Sequence, residues 1–284
     1  MLRAADLTFG YGDTPVVRGV SLEVPAGGFV GIIGPNGSGK TTLLRLLAGT
    51  RRPQHGSVHL DGVPLGSLER GEIARRMAVV PQETQLAFEY SVLEVVLMGR
   101  YPHLGAFEIE GPRDIDLARA ALASTGTLAF AERLFSTLSG GEKQRVIIAA
   151  ALAQISGPPP APAVAPGFPG SSDAEGSQTT SILLLDEPTA ALDLKYQLET
   201  TALLRSLHQA RSLSVVVSTH DLNFAAAVCG TLVMLKDGRV LAAGPVDDVL
   251  TPARIRDLYD VDADVARHAR TGHLTVTPIS PAHP

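Results

Sequence analysis

Apolar residues near the start of the chain recur at short range and are broken by turn residues. Val16, Val17, Val20, Leu22 and Val24 predict short strands within the first ~30 residues. Phe29-Val30-Gly31-Ile32-Ile33 is a continuous apolar run, the pattern of a parallel strand buried on both faces. After a glycine-rich loop, Thr42-Leu43-Leu44-Arg45-Leu46-Leu47 is apolar at helical spacing and stops at Gly49. From about Ser91 to Gln154 the pattern is mostly helical. Ser91-Val92-Leu93-Glu94 and Ser139-Gly140-Gly141-Glu142 both have the form of a capping box. Strand-like runs return at Ile182–Leu185, Leu213–Val217 and Leu232–Leu235, alternating with helical stretches, which predicts a parallel sheet. Thr251-Pro252 reads as an N-cap with a first-turn proline. The last ~20 residues predict no regular element.

Composition changes this picture in one place. Gly157-Pro158-Pro159-Pro160-Ala161-Pro162 opens a stretch rich in Pro, Gly, Ala and Ser that runs to Thr180. It has little to bury and no periodicity, so residues 157–180 are expected to be a disordered surface insertion. The whole chain, 284 residues with 45% hydrophobic content, suits one large α/β domain or two small ones. A net charge of -5 gives no electrostatic footprint for nucleic acid. The single cysteine, Cys229, rules out an intrachain disulfide, fits a reducing cytosol and reads as a small core residue. The N-terminus lacks the apolar run of a signal peptide, and no stretch reaches the roughly 18–20 apolar residues of a membrane helix. The chain is therefore expected to be soluble, with any membrane role exerted through a partner.

Two motifs carry phosphate chemistry. Gly34-Pro35-Asn36-Gly37-Ser38-Gly39-Lys40-Thr41 matches G-x-x-x-x-G-K-[ST]. Glycines let backbone N–H groups curve around phosphate oxygens, and the helix that follows directs its positive end at the anion. Lys40 is placed to neutralise the β- and γ-phosphates of a nucleotide, and the Thr41 hydroxyl to ligate Mg²⁺. An idle glycine-rich turn is the competing reading, and the strand before with the helix after disfavours it. Leu183-Leu184-Leu185-Asp186-Glu187-Pro188 ends a buried strand in two carboxylates. Asp186 would hold Mg²⁺, and Glu187 would orient the attacking water or accept its proton. Alone, this could be a strand running into a solvated acidic turn. Beside the phosphate loop it supplies the metal ligand and oriented nucleophile that phosphoryl transfer needs.

Many ATPases and GTPases share those two motifs. Leu138-Ser139-Gly140-Gly141-Glu142-Lys143-Gln144 is more specific. By pattern it is a helix start offering N–H groups and a hydroxyl to an anion. With the other motifs it resembles the nucleotide-binding subunits of ATP-binding cassette (ABC) transporters, whose signature is LSGGE or LSGGQ. The resemblance runs from about Leu2 to about Val261. It implies an α/β fold: a P-loop NTPase core with a mostly parallel sheet, an N-terminal antiparallel β-subdomain and an inserted α-helical subdomain at about 88–155. An ABC ATPase domain of 1–262 would then precede a C-terminal tail, 263–284. The resemblance further implies that Thr42 belongs to the nucleotide cradle and that Tyr11 stacks on adenine. Gln82 would touch Mg²⁺ or water and sense a permease, Asp193 would communicate across a dimer, and His220 would contact the γ-phosphate. Ser139, Gly140, Gly141 and Glu142 would close over the ATP of a second subunit packed head to tail. A tyrosine in a hairpin turn, an exposed glutamine and a structural histidine are the plainer readings of Tyr11, Gln82 and His220.

Gly99-Arg100-Tyr101-Pro102-His103-Leu104-Gly105, preceded by Val95-Val96-Leu97-Met98, resembles importers of iron-siderophore, haem and cobalamin, as does Arg270-Thr271-Gly272-His273. The implied partners are an integral-membrane permease and, indirectly, a periplasmic or surface substrate-binding protein. The implied location is peripheral, on the cytoplasmic face of the membrane. Two features depart from the pattern: the insertion, and Ala150 where many relatives have arginine. An exporter ATPase is the nearer alternative. A soluble ABC-type ATPase acting on translation or DNA, and a module that binds nucleotide without hydrolysing it, are the more distant ones. His268, His273 and His283 show no clear metal-ligand spacing.

Overall fold

The computed structural model describes residues 1–157, 181–190, 192–211 and 213–282. Apart from Gly157, the stretch expected to be disordered lies outside the described residues, as do Ala191 and His283. Among the described residues twelve strands fall into three sheets. β1 (Leu2–Tyr11), β2 (Thr14–Val24), β4 (His55–Leu60) and β5 (Val63–Pro64) form an antiparallel sheet in the order β2-β1-β4-β5. β3 (Phe29–Ile33), β6 (Met77–Val80), β7 (Ile182–Asp186), β8 (Ser214–Thr219), β9 (Thr231–Lys236) and β10 (Arg239–Pro245) form the central sheet, ordered β10-β9-β3-β8-β7-β6. It is parallel except for β10 at one edge. The fold is thus α/β, a mostly parallel core beside an antiparallel sheet.

The central strands separate two cores by their period of two. Val30, Ile32, Ile182, Leu184 and Val216 point to the core shared with the antiparallel sheet and with α1 (Lys40–Leu47). Ile33, Leu183, Leu185, Val215 and Val217 point to the other core, shared with the helices. Both faces being covered, the strands read as unbroken apolar runs. Each fully buried leucine contributes about 1.5–3 kcal/mol. Gly31 has no side chain because a Cβ there would stand 2.8 Å from both Cys229 Sγ and Leu232 Cδ2.

α2 (Arg70–Arg76) leads into β6, and three helices follow: α3 (Val92–Leu97), α4 (Pro112–Ser124) and α5 (Gly140–Ile155). A 3-10 turn, Met98–His103, separates α3 from α4. Both capping boxes form as the sequence predicts, Ser91 with Glu94 and Ser139 with Glu142. α6 (Leu194–Arg211), α7 (Leu222–Val228), α8 (Val246–Val249) and α9 (Pro252–Tyr259) complete the helices; Thr251 caps α9 and Pro252 is its first residue.

The end of the chain corrects the sequence reading. It is an antiparallel hairpin, β11 (Val261–Arg267) with β12 (Leu274–Pro281), not an irregular tail, and β11 crosses the expected 262/263 boundary. Only Ala263 and Val276 are deeply buried in it, so its hydrophobic alternation is weak. What holds it is tertiary: the Asn223 side chain on α7 accepts from Val276 N (2.7 Å) and donates to Val276 O (3.2 Å).

Candidate active site

Because β3, β6, β7 and β8 run parallel, their carboxyl ends share one edge of the sheet, and the loops that leave it converge. From β3 comes the phosphate loop. Gly34 lies so close to β9 that a Cβ would sit 2.2 Å from Leu235 O. Gly37 and Gly39 take φ of 79° and 102°, left-handed values that turn the chain into α1. Lys40, buried at the helix start, donates to Gly34 O (2.9 Å) and Pro35 O (3.1 Å). The Ser38 hydroxyl is buried in the same loop without a hydrogen-bond partner.

From β7 come the two carboxylates. Asp186 Oδ1 accepts from Thr41 Oγ1 (3.1 Å) and Ser218 Oγ (2.5 Å). Glu187 has φ 46°, a conformation that costs a non-glycine residue about 1–3 kcal/mol. It is held there by its N–H, which donates to Ser218 O at 3.0 Å. Its carboxylate lies between two nitrogens: Oε1 is 3.5 Å from Lys40 Nζ, and Oε2 is 3.2 Å from His220 Nδ1, just past the end of β8. These groups open on a cleft of about 660 Å³ lined by Asn36, Lys40, Thr41, Gln82, Glu187 and His220, among others.

Not every expected residue reaches that cleft. Tyr11 stands at the end of β1, edge-on to Phe9 with ring centroids 5.1 Å apart. A hydrogen bond with Thr42 holds its phenol below the ordinary pKa. Ser139 to Glu142 and Asp193 do not line the cleft of their own chain. Ser139 caps α5, its N–H donating to Glu142 Oε2 at 2.8 Å, and this bond lowers the Glu142 pKa. Gly141 is a glycine for a packing reason: a Cβ would come 2.5 Å from the Tyr196 ring. Asp193 is exposed and immediately precedes α6, its carbonyl accepting from Gln197 N at 2.9 Å. Sequence reasoning missed Ser218, whose position two residues before His220 on a strand end is the signal that could have found it. It also missed Tyr259, half-buried behind the phosphate loop, whose phenol is pushed up by desolvation.

Residues 17–156 match the family model for ABC transporters. Over 99% of this chain and 95% of the relative, the sequence is 43% identical to the hemin import ATP-binding protein HmuV of Gloeobacter violaceus. The chain belongs to the ABC transporter family. As a member it binds and hydrolyses ATP. The iron(3+)-hydroxamate import ATP-binding protein FhuC of Bacillus subtilis is another relative of this ABC chain, 34% identical over 95% of it and 91% of the relative. Among solved structures, a chain of an ABC transporter assigned to the metal-chelate type, inward-facing, superposes with a TM-score of 0.79. It is 28% identical, over 98% of this chain and 96% of that one. A dimeric ATP-binding cassette bound to ADP and Pi in a post-hydrolysis state has a TM-score of 0.68 and 30% identity, over 87% of this chain and 99% of that one. No helix among the described residues of this ABC subunit is long and apolar enough to cross a membrane.

Proposed function

We propose that the chain is the ATPase subunit that energises import of a metal chelate, of the iron-siderophore, haem or cobalamin kind, through an integral-membrane permease. The observation that carries the chemistry is the Glu187 carboxylate poised between Lys40 and His220 over the cleft. Arriving triphosphate competes for Lys40, freeing Glu187 to take the proton of the attacking water, while His220 contacts the γ-phosphate. The donor set fits Mg²⁺: one carboxylate, Asp186, beside the Thr41 hydroxyl, with Gln82 across the cleft. Among the described residues no cluster of three acidic, His or Cys side chains forms a separate metal site, and Mg²⁺ with nucleotide needs only one or two carboxylates plus phosphates. When bound, the ion neutralises charge on the β- and γ-phosphates. Asn36, Gly37, Gly39 and Thr42 complete the cradle, and Tyr11 stacks on adenine.

Ser139, Gly140, Gly141, Glu142 and Asp193 serve the partner subunit's ATP in a head-to-tail homodimer. That none of them lines the cleft of their own chain supports this, as does the dimeric cassette relative. The permease docks on apolar side chains left exposed in and beyond the loop that carries Gln82 (residues 81–91, the glutamine loop): Phe88, Tyr101, Phe107 and Ile109. A substrate-binding protein delivers cargo on the far side of the membrane, and the subunit sits peripherally on the cytoplasmic face. The import direction and cargo class rest on the named relatives.

The test has two arms. Glu187→Gln should keep ATP binding and lower turnover at least a hundredfold, by loss of the proton acceptor; near-normal turnover removes Glu187 from catalysis. In cells, uptake of labelled haemin, ferric hydroxamate and cobalamin should fall for one of the three when Glu187→Gln replaces the wild type. Loss of efflux with all three uptakes intact would make the chain an exporter subunit.

A further inference from the structure

α5 has an end whose chemistry the proposed mechanism leaves unused. Its first residues are the signature, and its last carbonyls carry the negative end of the helix dipole. Those carbonyls are met by the 3-10 turn Met98–His103. Arg100, 4% exposed, donates through Nη1 to Ala153 O (2.6 Å) and to Ser156 O, and through Nε to Asp114 Oδ1 (2.9 Å). His103 Nε2 donates to Gln154 O (2.6 Å). Contact is close along the whole junction. A Cβ at Gly99 would lie 2.3 Å from Ala150 O, and one at Gly157 would lie 3.0 Å from the His103 ring.

The same helix end is tied to the opposite side of the glutamine loop. Gln154 Nε2 donates to Ala74 O (2.8 Å) and Met77 O (3.0 Å), at the junction of α2 and β6. β6 runs on to Val80, and Gln82 follows. Gln82 therefore lies on a stretch whose two flanks are both anchored to the last turn of α5, upstream through Gln154 and downstream through Arg100 and His103. Arg75 Nη1 also joins the two flanks directly, through Pro102 O at 3.0 Å. α5 itself is 16 residues long, about 24 Å at 1.5 Å per residue. A stiff helix of that length, held at one end, carries Ser139 at the other.

We infer that Arg100 is a positioning residue: with His103 and Gln154 it clamps the carbonyl end of α5 to both flanks of the glutamine loop, so that α5 and the loop move as one body and the signature is presented to the partner's ATP at a set angle. The inference rests on the proposed shared site, and it makes two demands. Nucleotide binding by the phosphate loop of a single subunit does not involve the clamp. Formation of the closed, ATP-bound dimer does.

The variants are Arg100→Lys, which keeps charge but loses the fork, and Arg100→Met combined with Asp114→Asn, which leaves no unpaired charge at the buried pair. The second variant guards against a fold lost merely through an orphaned carboxylate. Three quantities are read on the full chain: affinity for a fluorescent ATP analogue, the KM and kcat of ATP hydrolysis, and the dimer fraction in ATP in a Glu187→Gln background. The clamp requires analogue affinity and KM within about twofold of wild type. It also requires kcat and dimer fraction lower by about tenfold in the double variant, and by less in Arg100→Lys, the scale of coupling through packed elements. Wild-type kcat and dimer fraction in a folded double variant would overturn the clamp, as would a loss of analogue affinity equal to the loss of kcat. A Ser139→Arg chain run in parallel separates the two layers. If it turns over normally, the shared site itself is wrong and the clamp falls with it; if it is impaired while the Arg100 variants are not, only the clamp fails.

Discussion

At the scale of single residues, the phosphate loop shows how little freedom the site allows. Gly34 faces a backbone carbonyl, Leu235 O, rather than a flexible side chain, so nothing can yield to a Cβ at 2.2 Å. Gly34→Ala should therefore lower the thermal midpoint and weaken ATP binding together, with a stability loss of about 1–3 kcal/mol, the scale of overpacking. Unchanged analogue binding in a variant of wild-type stability would show that β9 can shift. Tyr11 poses the converse question, since its ring is proposed to act and its hydroxyl only to bond Thr42. Tyr11→Phe should leave KM for ATP within about twofold, and Tyr11→Ala should raise it about tenfold, the lower range of base–aromatic stacking. Equal KM for the two would place adenine elsewhere. Cys229 is buried, and desolvation pushes its thiol up, so it should stay unlabelled by iodoacetamide until the chain unfolds.

At the scale of elements, the junction between the Met98–His103 turn and α5 carries a pH signature. Desolvation by burial holds the His103 imidazole below its ordinary 6.5, partly offset by its bond to the Gln154 carbonyl. Arg100 and Arg75 act in the same direction as burial and Asp114 against it. The folded chain therefore disfavours the protonated ring. Its contribution is complete above 6.5 and is lost as pH falls below that value towards the folded pKa. The thermal midpoint should drop as pH falls below 6.5, and His103→Gln should flatten that segment of the curve. An identical slope in the variant would assign the effect to other groups. Asp114 does not confuse the reading: burial raises its pKa, but the Arg100 bond, the Gly111 N–H bond and the positive charge of Arg100 together outweigh burial and hold it below the ordinary 3.8, so its contribution fades only in more acid solution. The terminal hairpin makes a second element-level case. Asn223→Ala removes both side-chain bonds to Val276 and should cost about 1–3 kcal/mol, with faster amide exchange confined to β11 and β12.

At the scale of the whole molecule, one chain holds half of each proposed site. Lys40 would serve its own ATP, and Ser139 with Gly141 the partner's. Lys40→Ala and Ser139→Arg homodimers should each lose most of their turnover, by about 10²–10³ if the signature donors act as an oxyanion-type clamp. Mixing the two puts both lesions in one site of the heterodimer and leaves the other intact. Part of the activity should return, provided one intact site can turn over. A chain with both substitutions mixed with wild type places one lesion in each site and should be less active. Equal activity of the two heterodimers, with subunit exchange verified, would count against shared sites.

The parts whose physics is local were legible in the order of residues alone. A glycine-rich loop running into Lys-Thr, a strand ending at Asp186 with Glu187 just beyond it, and Ser-x-x-Glu at two helix starts each depend on residues a few positions apart. Continuous apolar runs declared the buried strands because both faces of the sheet are covered. The tertiary structure alone decided which of these parts meet. Thr41 and Asp186 are 145 positions apart, and Ser218 reaches the same carboxylate from 32 positions away. No period or spacing encodes such a pairing, because it follows from the strand order β3-β8-β7 rather than from the chain order. The hairpin at the end of the chain was illegible for a related reason: its few apolar residues bury one face, and an amide on α7, not its own pattern, holds its edge. In the sequence Arg100 stands only within a stretch that resembles importers, with no structural role legible; the packing of the 3-10 turn on the last turn of α5 buries it and commits its fork to the carbonyls there.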